Sequence, residues 1–589
     1  MPMCCVAVRS SSPAPPRSCA PAISSPTTWR RDRPAKRREP ARGGVTHRST
    51  DNTRLTRVEG SFLPAPGIGV REVIRGDRVV SEAPIPSVRT AQGLVVGRGL
   101  EAGAEFRGIP YALPPRGELR FAPPRRHGSW SDDASLPGLY FRDAALQFDP
   151  VPPFGPLVAT RRSSEDCLSL NVSTPDPGPS ARLPVMVWLH GGGYTGGSGS
   201  DEPYNGRAFV RDGVVLVTVN FRLGVLGYLE VADAFGLSDG SGNFGALDQI
   251  CALEWVQENI ERFGGDPSNV TLFGESAGAW AAATLLAAKR ASGLFRRVIC
   301  QSGGGEHVLR PEEANLIARR YVELLGIKPG DADGLRAVDA NRVLAAQGLL
   351  FQELADLEHA TEILGERAGL LHLMLPVANG EVVTDLPVNL IHGGAGSAIT
   401  LIAGSNSEEN GLHRLWPGGI LSAEYMRSLS LMALRKNGAD AQAAEASYRS
   451  WCNDSLSTAQ AMEGDRMFVL PTLDLARAHA TAGGETYLYE LAYAPTPFGA
   501  CHVSDVPLVF ENLGTPMART LAGGAGAQKV ASLVHTAWVD FARTGTPDPD
   551  LKLGWPRHEA GHPASFVIDE ACRVDTDREA RLRALWAWE

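Results

Sequence analysis

Two kinds of hydrophobic pattern alternate along most of the chain. Short runs that are apolar at nearly every position occur at 183–189, 214–219 and 270–273. Such runs are typical of strands that are buried on both faces of a largely parallel sheet. Between the last two runs, residues 243–263 carry apolar side chains at helical spacing on one face. The succession of strand, helix and strand predicts a wound α/β fold, because parallel strands need a long crossover connection.

The same alternation continues toward the carboxyl end of the chain. Further strands are predicted at 297–299, 401–404 and 486–490, and mainly helical segments at 311–373, 422–461 and 530–544. The first of these helical segments is predicted to cover the edge of the sheet that carries the chemistry. Together these elements predict an α/β fold class with a mostly parallel central sheet, helices on both faces and helical cap regions.

The first 85 residues have a different composition, rich in Ser, Pro, Ala and Arg. A segment with so little apolar surface cannot offset its ordering entropy, so residues 1–85 are predicted to form a disordered basic extension. The apolar stretch that a secretory signal needs does not follow its basic clusters. Two explanations of the extension stay open: an organelle transit-like segment, or a start codon assigned too far upstream.

Charge and cysteine content narrow the functional class. The chain has a formal net charge of -9 although its first 60 residues are basic, so its body is acidic and offers no general nucleic-acid surface. The nine cysteines are scattered, without a disulfide framework or a C-x-x-C metal site. Reduced cysteines favour a cytoplasmic location. No run of 18 apolar residues is present, so no membrane span is expected.

The apolar run at 270–273 leads into Gly274-Glu275-Ser276-Ala277-Gly278, and a run of small apolar residues at 279–288 follows. G-x-S-x-G between a strand and a helix is a turn that pushes its serine out at the top of a sheet. The glycines are needed because a side chain two residues from the serine would crowd the turn. Ser276 is therefore the candidate nucleophile, although the same letters also occur by chance in ordinary turns.

A run of glycines follows the predicted strand at 183–189, in the order His190-Gly191-Gly192-Gly193-Tyr194. A phosphate-binding loop would need G-K-[ST] after the glycines, and Thr195-Gly196-Gly197-Ser198 stands there instead, so nucleotide binding is not expected. The other interpretation is an oxyanion loop of the H-G-G-G type, whose bare backbone N–H groups face a developing negative charge.

Four motifs occur in a fixed order: Phe106-Arg107-Gly108-Ile109-Pro110-Tyr111-Ala112, Ser164-Glu165-Asp166-Cys167-Leu168-Ser169-Leu170-Asn171-Val172, His190-Gly191-Gly192-Gly193 and Gly274-Glu275-Ser276-Ala277-Gly278. In this combination the chain resembles the type-B carboxylesterase and cholinesterase family of α/β-hydrolases. The resemblance extends from about residue 88 to the end of the chain. It implies the α/β-hydrolase fold and a single catalytic domain at 86–589.

The resemblance also implies which residues act. The family's acid stands in a pattern like G-x-N-x-x-E, which 404–409 matches with Glu409, and its histidine in a pattern like G-x-x-H, which 499–502 matches with His502. Glu408 is the rival acid and is interpreted as a solvated loop charge. The other histidines after Glu409 are interpreted as surface or packing residues: His413, His479, His535, His558 and His562. By analogy with the family, the oxyanion hole is expected to consist of the backbone N–H groups of Gly192, Gly193 and Ala277.

The chain departs from the family's pattern in ways that are informative. In secreted members the cysteine of the Glu-Asp-Cys-Leu motif pairs with an upstream cysteine in a C-x-Q setting; the corresponding stretch here is Ala145-Leu146-Gln147, so Cys167 is expected to be unpaired. Cholinesterases place a tryptophan ten residues before that cysteine to hold a quaternary ammonium group, and Leu157 stands there. Asp505 stands where the family usually has Glu. The chain is thus similar to general bacterial or cytoplasmic esterases.

The function that the resemblance implies is that of a serine carboxylic-ester hydrolase acting on small neutral esters. Ser276, His502 and Glu409 are the expected catalytic residues, and water is the expected acyl acceptor. No cofactor or metal is expected, and the expected partner is a small-molecule ester and not a nucleic acid. Two alternatives stay open: a catalytically silent cholinesterase-like binding protein, and an amide or carbamate hydrolase that uses the same triad.

Overall fold

The computed structural model describes residues 85–131, 138–149, 162–356, 360–361, 372–415 and 422–588. The predicted basic extension at 1–85 lies outside these residues except for Ile85. Its disorder therefore stays a prediction, and so does the division of the chain into this extension and one catalytic domain at 86–589.

The strands of the described residues are short, as the spacing of the apolar runs predicts. In chain order they are β1 Ser87–Arg89, β2 Leu94–Val96, β3 Arg98–Leu100, β4 Gly103–Pro110, β5 Ala144–Ala145, β6 Ser163–Ser164, β7 Ser169–Thr174, β8 Leu183–Leu189, β9 Val215–Val219, β10 Gly265–Glu275, β11 Arg297–Gln301, β12 Thr400–Asn406, β13 Thr486–Leu491, β14 Ser565–Ile568 and β15 Arg573–Asp575.

Eleven of these strands form one central sheet, in the order β15-β14-β13-β12-β11-β10-β8-β9-β7-β4-β3. Every neighbouring pair from β9 to β14 is parallel, whereas the pairs nearer the two edges are antiparallel. Two small two-stranded sheets, β1-β2 and β5-β6, lie apart from it. The mostly parallel central sheet predicted from the apolar runs is confirmed.

Helices connect most of the parallel strands. In chain order they are α1 Arg207–Arg211, α2 Gly224–Tyr228, α3 Ala232–Phe235, α4 Phe244–Asn259, α5 Ala277–Ala287, α6 Pro311–Leu325, α7 Ala332–Arg336, α8 Ala340–Leu354, α9 Pro387–His392, α10 Ala423–Lys436, α11 Ala441–Trp451, α12 Ser455–Gly464, α13 Leu470–Thr481, α14 Val506–Val509, α15 Pro516–Leu521, α16 Ala527–Thr544 and α17 Arg578–Trp586.

Alternate side chains of β8 belong to two different apolar clusters. Val187 packs in a cluster that includes Leu253 of α4 and Leu285 of α5, whereas its neighbour Trp188 packs in a cluster that includes Trp538 of α16. Successive side chains of a strand point to opposite faces of the sheet, so each cluster lies on one face. Helices on both faces are therefore confirmed, and the double burial explains why β8 and β9 are apolar at nearly every position.

Strand β10 is longer than the apolar run predicts. The hydrophobic pattern ends at Phe273, but Gly274 and Glu275 continue the parallel register with Cys300 and Gln301 of β11. Backbone pairing does not depend on side-chain polarity, so the pattern does not report these last two positions. The predicted end of the strand was wrong by two residues, and the strand leads directly into Ser276.

The predicted helical segment at 311–373 contains α6, α7 and α8. Residues 357–359 and 362–371 of this range lie outside the described part of the chain. Within the described residues, no helix has both the length and the apolar content needed to cross a membrane.

A buried ion pair joins the residues after β9 to α4. The guanidinium of Arg222 donates to both carboxylate oxygens of Asp248, at 2.8 Å and 2.7 Å, and its backbone N–H donates to the same carboxylate at 3.0 Å. The two side chains are 3% and 0% exposed. Another guanidinium nitrogen donates to Ala122 O at 2.7 Å. Because both charges are out of water, each depends on the other for compensation.

We expect Asp248→Asn to destabilise the fold by about 3–5 kcal/mol, since it leaves the buried guanidinium of Arg222 without its counter-charge. The midpoint of urea denaturation, followed by tryptophan fluorescence, measures the effect. Asp550→Asn is the matched control, because its partner Lys552 and Asp550 itself are 77% and 65% exposed and water screens such a pair. Equal midpoints for the two variants would contradict the prediction.

Candidate active site

Ser276 occupies the turn between β10 and α5. Its backbone has φ 56° and ψ −125°, a conformation that residues other than glycine rarely adopt. Its N–H donates to Gln301 O at 2.9 Å, and its carbonyl accepts from Ala279 and Trp280 at the start of α5. A side chain on Gly278 would overlap the carbonyl oxygen of Leu189 at the end of β8. The predicted strand-to-helix turn with Ser276 at its tip is confirmed.

The glycine loop that follows β8, residues 190–199, lies against this turn. A Cβ atom on Gly191 would lie 2.7 Å from Glu275 Oε2 and 3.1 Å from Ser276 Cβ. Within the described residues, the backbone N–H groups of Gly192, Gly193 and Ala277 donate no hydrogen bonds. Backbone N–H groups without an acceptor in the protein are available to donate to an oxyanion.

His502 and Glu409 form a direct hydrogen bond. His502 Nδ1 lies 2.8 Å from Glu409 Oε2, and the backbone N–H of His502 donates to Glu409 O at 2.9 Å. The other carboxylate oxygen of Glu409 accepts from the N–H of Asn406 at 2.7 Å. Glu409 follows β12 and His502 lies in the loop after β13, and these two strands are parallel neighbours. The carboxyl ends of such strands share one edge of the sheet, which brings the two residues together.

The second ring nitrogen of His502 faces the turn that carries Ser276. His502 Nε2 lies 3.2 Å from Oε1 of Glu275, the residue immediately before Ser276. No hydrogen bond joins Ser276 Oγ to His502 in the described residues. The structure therefore joins Glu409 to His502 directly and joins His502 to the serine turn through Glu275.

Three buried carboxylates surround the imidazole of His502. Burial alone lowers the pKa of His502, but Glu275, Glu409 and Asp505 outweigh it and raise the pKa to about 9. Burial raises the pKa of Glu275 to about 8, although His502 opposes the rise. These two directions disagree about where the proton lies. The raised pKa of His502 favours an ion pair with Glu275, whereas the raised pKa of Glu275 favours a neutral carboxyl group. The pKa of His502 is raised because three separate carboxylates favour its charged form.

An uncharged aromatic wall, formed by Trp280, His307 and His372, stands beside the glycine loop. The ring of Trp280 stacks on His307, with centroids 3.9 Å apart, and meets His372 edge-on at 4.7 Å. A Cβ atom on Gly193 would lie 2.9 Å from His372 Nδ1. Burial lowers the pKa of His307 to about 3 and of His372 to about 4, so both rings are neutral near pH 7.

Sequence reasoning missed these groups around the candidate residues. Glu275 belonged to a motif that was recognised, but nothing in the motif indicates its contact with His502. The ring of Phe468, 4.3 Å from that of His502, and the two histidines of the aromatic wall belong to no recognised pattern. No signal in one sequence could have found them, because each contact joins distant segments.

The residues interpreted as bystanders lie as predicted. Glu408 pairs with Arg414 at 2.9 Å and is 41% exposed. Three of the other histidines are buried and bonded within the fold: His479 to Thr486 Oγ1, His535 to Val509 O and His558 to Ala564 O. His562 is exposed and His413 is half-buried.

Cys167 is buried and unpaired, as expected. Burial raises the pKa of its thiol well above the usual range, so it remains a neutral thiol. A cavity of about 10 Å³ lies beside it and Ala145, which is room for about one water molecule. Leu157, at the position of the cholinesterase tryptophan, lies outside the described residues. In the described part of the chain, no cluster of three or more His, Cys, Asp or Glu side chains could hold a metal ion.

Comparison with known proteins places this geometry in a family. Residues 84–586 match the model of the Carboxylesterase family. The para-nitrobenzyl esterase of Bacillus subtilis (strain 168) is 33% identical over 512 residues, which cover 84% of this chain and 97% of that protein. The fumonisin B1 esterase of Sphingopyxis macrogoltabida is 35% identical over 477 residues, which cover 78% of this chain and 83% of that protein.

Solved structures agree. The crystal structure of the Geobacillus stearothermophilus carboxylesterase EST55 at pH 6.2 matches with a TM-score of 0.72 at 33% identity, covering 85% of this chain and 99% of that one. A structure of PNB esterase matches with a TM-score of 0.73 at 30% identity, covering 85% of this chain and 99% of that one. The chain therefore belongs to the carboxylesterase family, has the α/β-hydrolase fold and is a serine carboxylic-ester hydrolase.

Proposed function

We propose that the chain hydrolyses small neutral carboxylic esters by two-step acyl transfer, with Ser276 as nucleophile, His502 as general base and Glu409 as its acid partner. The observation that supports this most is the 2.8 Å hydrogen bond between His502 Nδ1 and Glu409 Oε2. It fixes Nδ1 on the carboxylate and directs Nε2 toward the turn of Ser276, where Nε2 lies 3.2 Å from Glu275 Oε1. The unprotonated form of Nε2 is the proposed base.

In the first step, Ser276 Oγ forms a bond to the ester carbonyl carbon while His502 Nε2 takes the hydroxyl proton. Glu409 holds the imidazole in the required tautomer and stabilises the imidazolium. The tetrahedral intermediate collapses when the bond to the alcohol oxygen breaks and His502 returns the proton to that oxygen. The products of this step are the free alcohol and an acyl group on Ser276.

In the second step, water attacks the acyl carbon. His502 takes a proton from the water, a second tetrahedral intermediate forms, and the bond to Ser276 Oγ breaks as the serine recovers its proton. The acid leaves and the enzyme returns to its initial state. Both intermediates carry a negative oxygen, for which we propose the N–H groups of Gly192, Gly193 and Ala277. A single such donor is worth about 2.7–4 kcal/mol in other hydrolases.

The proposed preference for small neutral esters is supported by the uncharged aromatic wall of Trp280, His307 and His372. A neutral aromatic surface beside the glycine loop favours apolar or aromatic groups over charged ones. The Bacillus subtilis relative is named a para-nitrobenzyl esterase, and short p-nitrophenyl esters are therefore suitable probes. Amide or carbamate hydrolysis would use the same three side chains, and the rates on an ester and an amide with the same acyl group distinguish them.

We also propose a cytoplasmic location. The six described cysteines that form no disulfide support it: Cys167, Cys251, Cys300, Cys452, Cys501 and Cys572. Thiols in this state are usual in a reducing compartment.

We expect Ser276→Ala to lower kcat for p-nitrophenyl acetate by at least about 10⁴-fold, since it removes the nucleophile. Diethyl p-nitrophenyl phosphate should label the wild-type enzyme once, on Ser276, with release of one equivalent of p-nitrophenolate. Ser430→Ala is the matched control, because Ser430 is also buried and its hydroxyl donates to Glu463 at 2.9 Å. Undiminished turnover by Ser276→Ala would show that another residue is the nucleophile.

Substitutions of the adjacent residues Glu408 and Glu409 test which carboxylate is the acid partner of His502. We expect Glu409→Gln to lower kcat by roughly 10³–10⁴-fold, because a neutral amide cannot stabilise the imidazolium and favours the wrong tautomer of His502. Glu408→Gln should keep kcat within about twofold, since this carboxylate faces Arg414 near the surface. Steady-state kinetics on p-nitrophenyl acetate measures both. The assignment fails if the two variants lose activity equally.

The pH dependence tests the role of Glu275. Its carboxylate raises the pKa of His502, so Glu275→Gln should lower that pKa. The unprotonated base then persists to lower pH, and the acidic limb of the kcat/KM profile should move to lower pH. Profiles of wild type, Glu275→Gln and the control Glu408→Gln on p-nitrophenyl acetate make the comparison. If the acidic limb of the Glu275→Gln profile stays at the same pH or moves to higher pH, the 3.2 Å contact with Glu275 does not raise the pKa of His502.

A further inference from the structure

The side-chain amide of Gln147 pairs with the backbone of one residue of the glycine loop. Its Nε2 donates to Gly197 O at 2.9 Å, and its Oε1 accepts from the Gly197 N–H at 2.8 Å. The same Nε2 donates to Ala145 O at 2.9 Å. One amide thus satisfies both backbone groups of Gly197, as a neighbouring strand would.

Gly197 in turn packs against the segment that carries the proposed oxyanion donors. Its φ is +101°, and a Cβ atom there would lie 2.5 Å from both Gly191 O and His190 Nδ1. A Cβ on Gly192 would overlap the carbonyl oxygen of Gly196. Gly192 O also accepts from the N–H groups of Thr195 and Gly196, at 3.0 Å each. Residues 196–197 therefore lie directly against residues 190–192. Because the two segments are in contact, a displacement of residues 196–197 must also displace residues 190–192.

Gln147 is anchored independently of this loop. It follows β5, whose residues Ala144 and Ala145 are buried and pair with Ser163 and Ser164 of β6. The N–H of Ala144 donates to Arg162 O at 3.0 Å. On the other side of the loop, Asn220 Oδ1 accepts from the N–H of Gly199 at 2.8 Å and from Ser198 Oγ at 3.1 Å. The loop is thus held between two side-chain amides on separate parts of the fold.

We infer that Gln147 is a positioning residue for ester hydrolysis, which holds Gly197 and through it the N–H groups of Gly192 and Gly193 where the oxyanion forms. The inference rests on the proposed function. Preorganised donors stabilise the transition state only when they are already in place, and a misplacement of about 1 Å can cost ~10²-fold in rate. The loss should fall on kcat and leave KM nearly unchanged, because the donors act on the oxyanion and not on the bound ester.

The test replaces Gln147 by Met, which keeps the length of the side chain and removes all three hydrogen bonds. Gln257→Met is the matched control: Gln257 Nε2 donates to Pro267 O and Leu294 O, both at 2.9 Å, at the opposite end of β10 from Ser276. We expect similar small decreases in the midpoint of thermal unfolding for both variants. We expect kcat for p-nitrophenyl acetate to fall by about 10–100-fold in Gln147→Met only, with KM within about threefold of wild type.

A second readout does not depend on turnover. A trifluoromethyl ketone accepts a bond from Ser276 Oγ at its carbonyl carbon, its oxygen becomes an oxyanion, and the serine proton moves to His502. Its affinity for Gln147→Met should fall by the same factor as kcat/KM. An unchanged affinity, or a kcat equal to that of Gln257→Met, would overturn the inference.

Gln147→Glu provides a further variant if the methionine variant does not fold. Its carboxylate accepts from the Gly197 N–H but repels the carbonyl oxygens of Gly197 and Ala145, whereas its protonated form can donate to one of them. The ratio of its kcat to the wild-type kcat should therefore rise as the pH falls toward the carboxyl pKa. A ratio that is independent of pH would contradict the positioning role.

The two hypotheses fail in different ways. If Ser276→Ala hydrolyses esters, the proposed function fails whatever Gln147 does. If Ser276→Ala is inactive and the phosphate ester labels Ser276, but Gln147→Met keeps its kcat and its affinity for the ketone, only the role of Gln147 is wrong.

Discussion

The shared edge at which the parallel strands end is the constraint on which the rest of the structure depends. The register aligns Leu189 with Gly274, and Asn406 with Leu491, so neighbouring strands end at nearly the same level. The glycine loop, the serine turn and Glu409 each begin within three residues of such an end, and the loop that follows β13 carries His502. Because the register is maintained by backbone hydrogen bonds and by double burial, the edge is rigid. Loops that start from a rigid edge can hold their side chains in place without a metal or a cofactor to organise them.

Several buried ionisable side chains also lie close together at this edge. One imidazole, that of His502, lies among the carboxylates of Glu275, Glu409 and Asp505, and each acid has a different environment. Glu409 accepts from the imidazole and from a backbone N–H, whereas Asp505 accepts from the side-chain amide of Gln301 at 2.7 Å. Removing three carboxylates from water is costly unless each finds a donor. The histidine is thus a structural counter-charge as well as the proposed base, which explains why a group outside the proposed triad affects its proton affinity.

The glycine loop illustrates how the chain holds a segment that has almost no side chains. With Cys167 unpaired, no disulfide fastens the stretch at 145–147 to the sheet. The pairing of β5 with β6 holds this stretch instead, and the amide of Gln147 connects it to the loop. Hydrogen bonds to both backbone groups of one residue restrict its position almost as a strand partner does, and they require no oxidising compartment. The backbone N–H groups of Gly192 and Gly193 take part in none of these hydrogen bonds within the described residues.

The amino-acid sequence by itself determined the alternation of buried strands and helices, the strand-to-helix turn at Ser276 and the unpaired state of Cys167. The first two properties follow from local periodicity and from glycines at fixed offsets. The unpaired state of Cys167 follows from the resemblance, because Ala145 stands where secreted members of the family have the partner cysteine. The same sequence indicated Glu409 and His502 through family patterns, but not their distance. Only the tertiary structure decided that Glu275 lies beside His502, that His372 lies over Gly193 and that Gln147 pairs with Gly197. Such contacts depend on how distant segments pack around a common edge, and no local pattern records that packing.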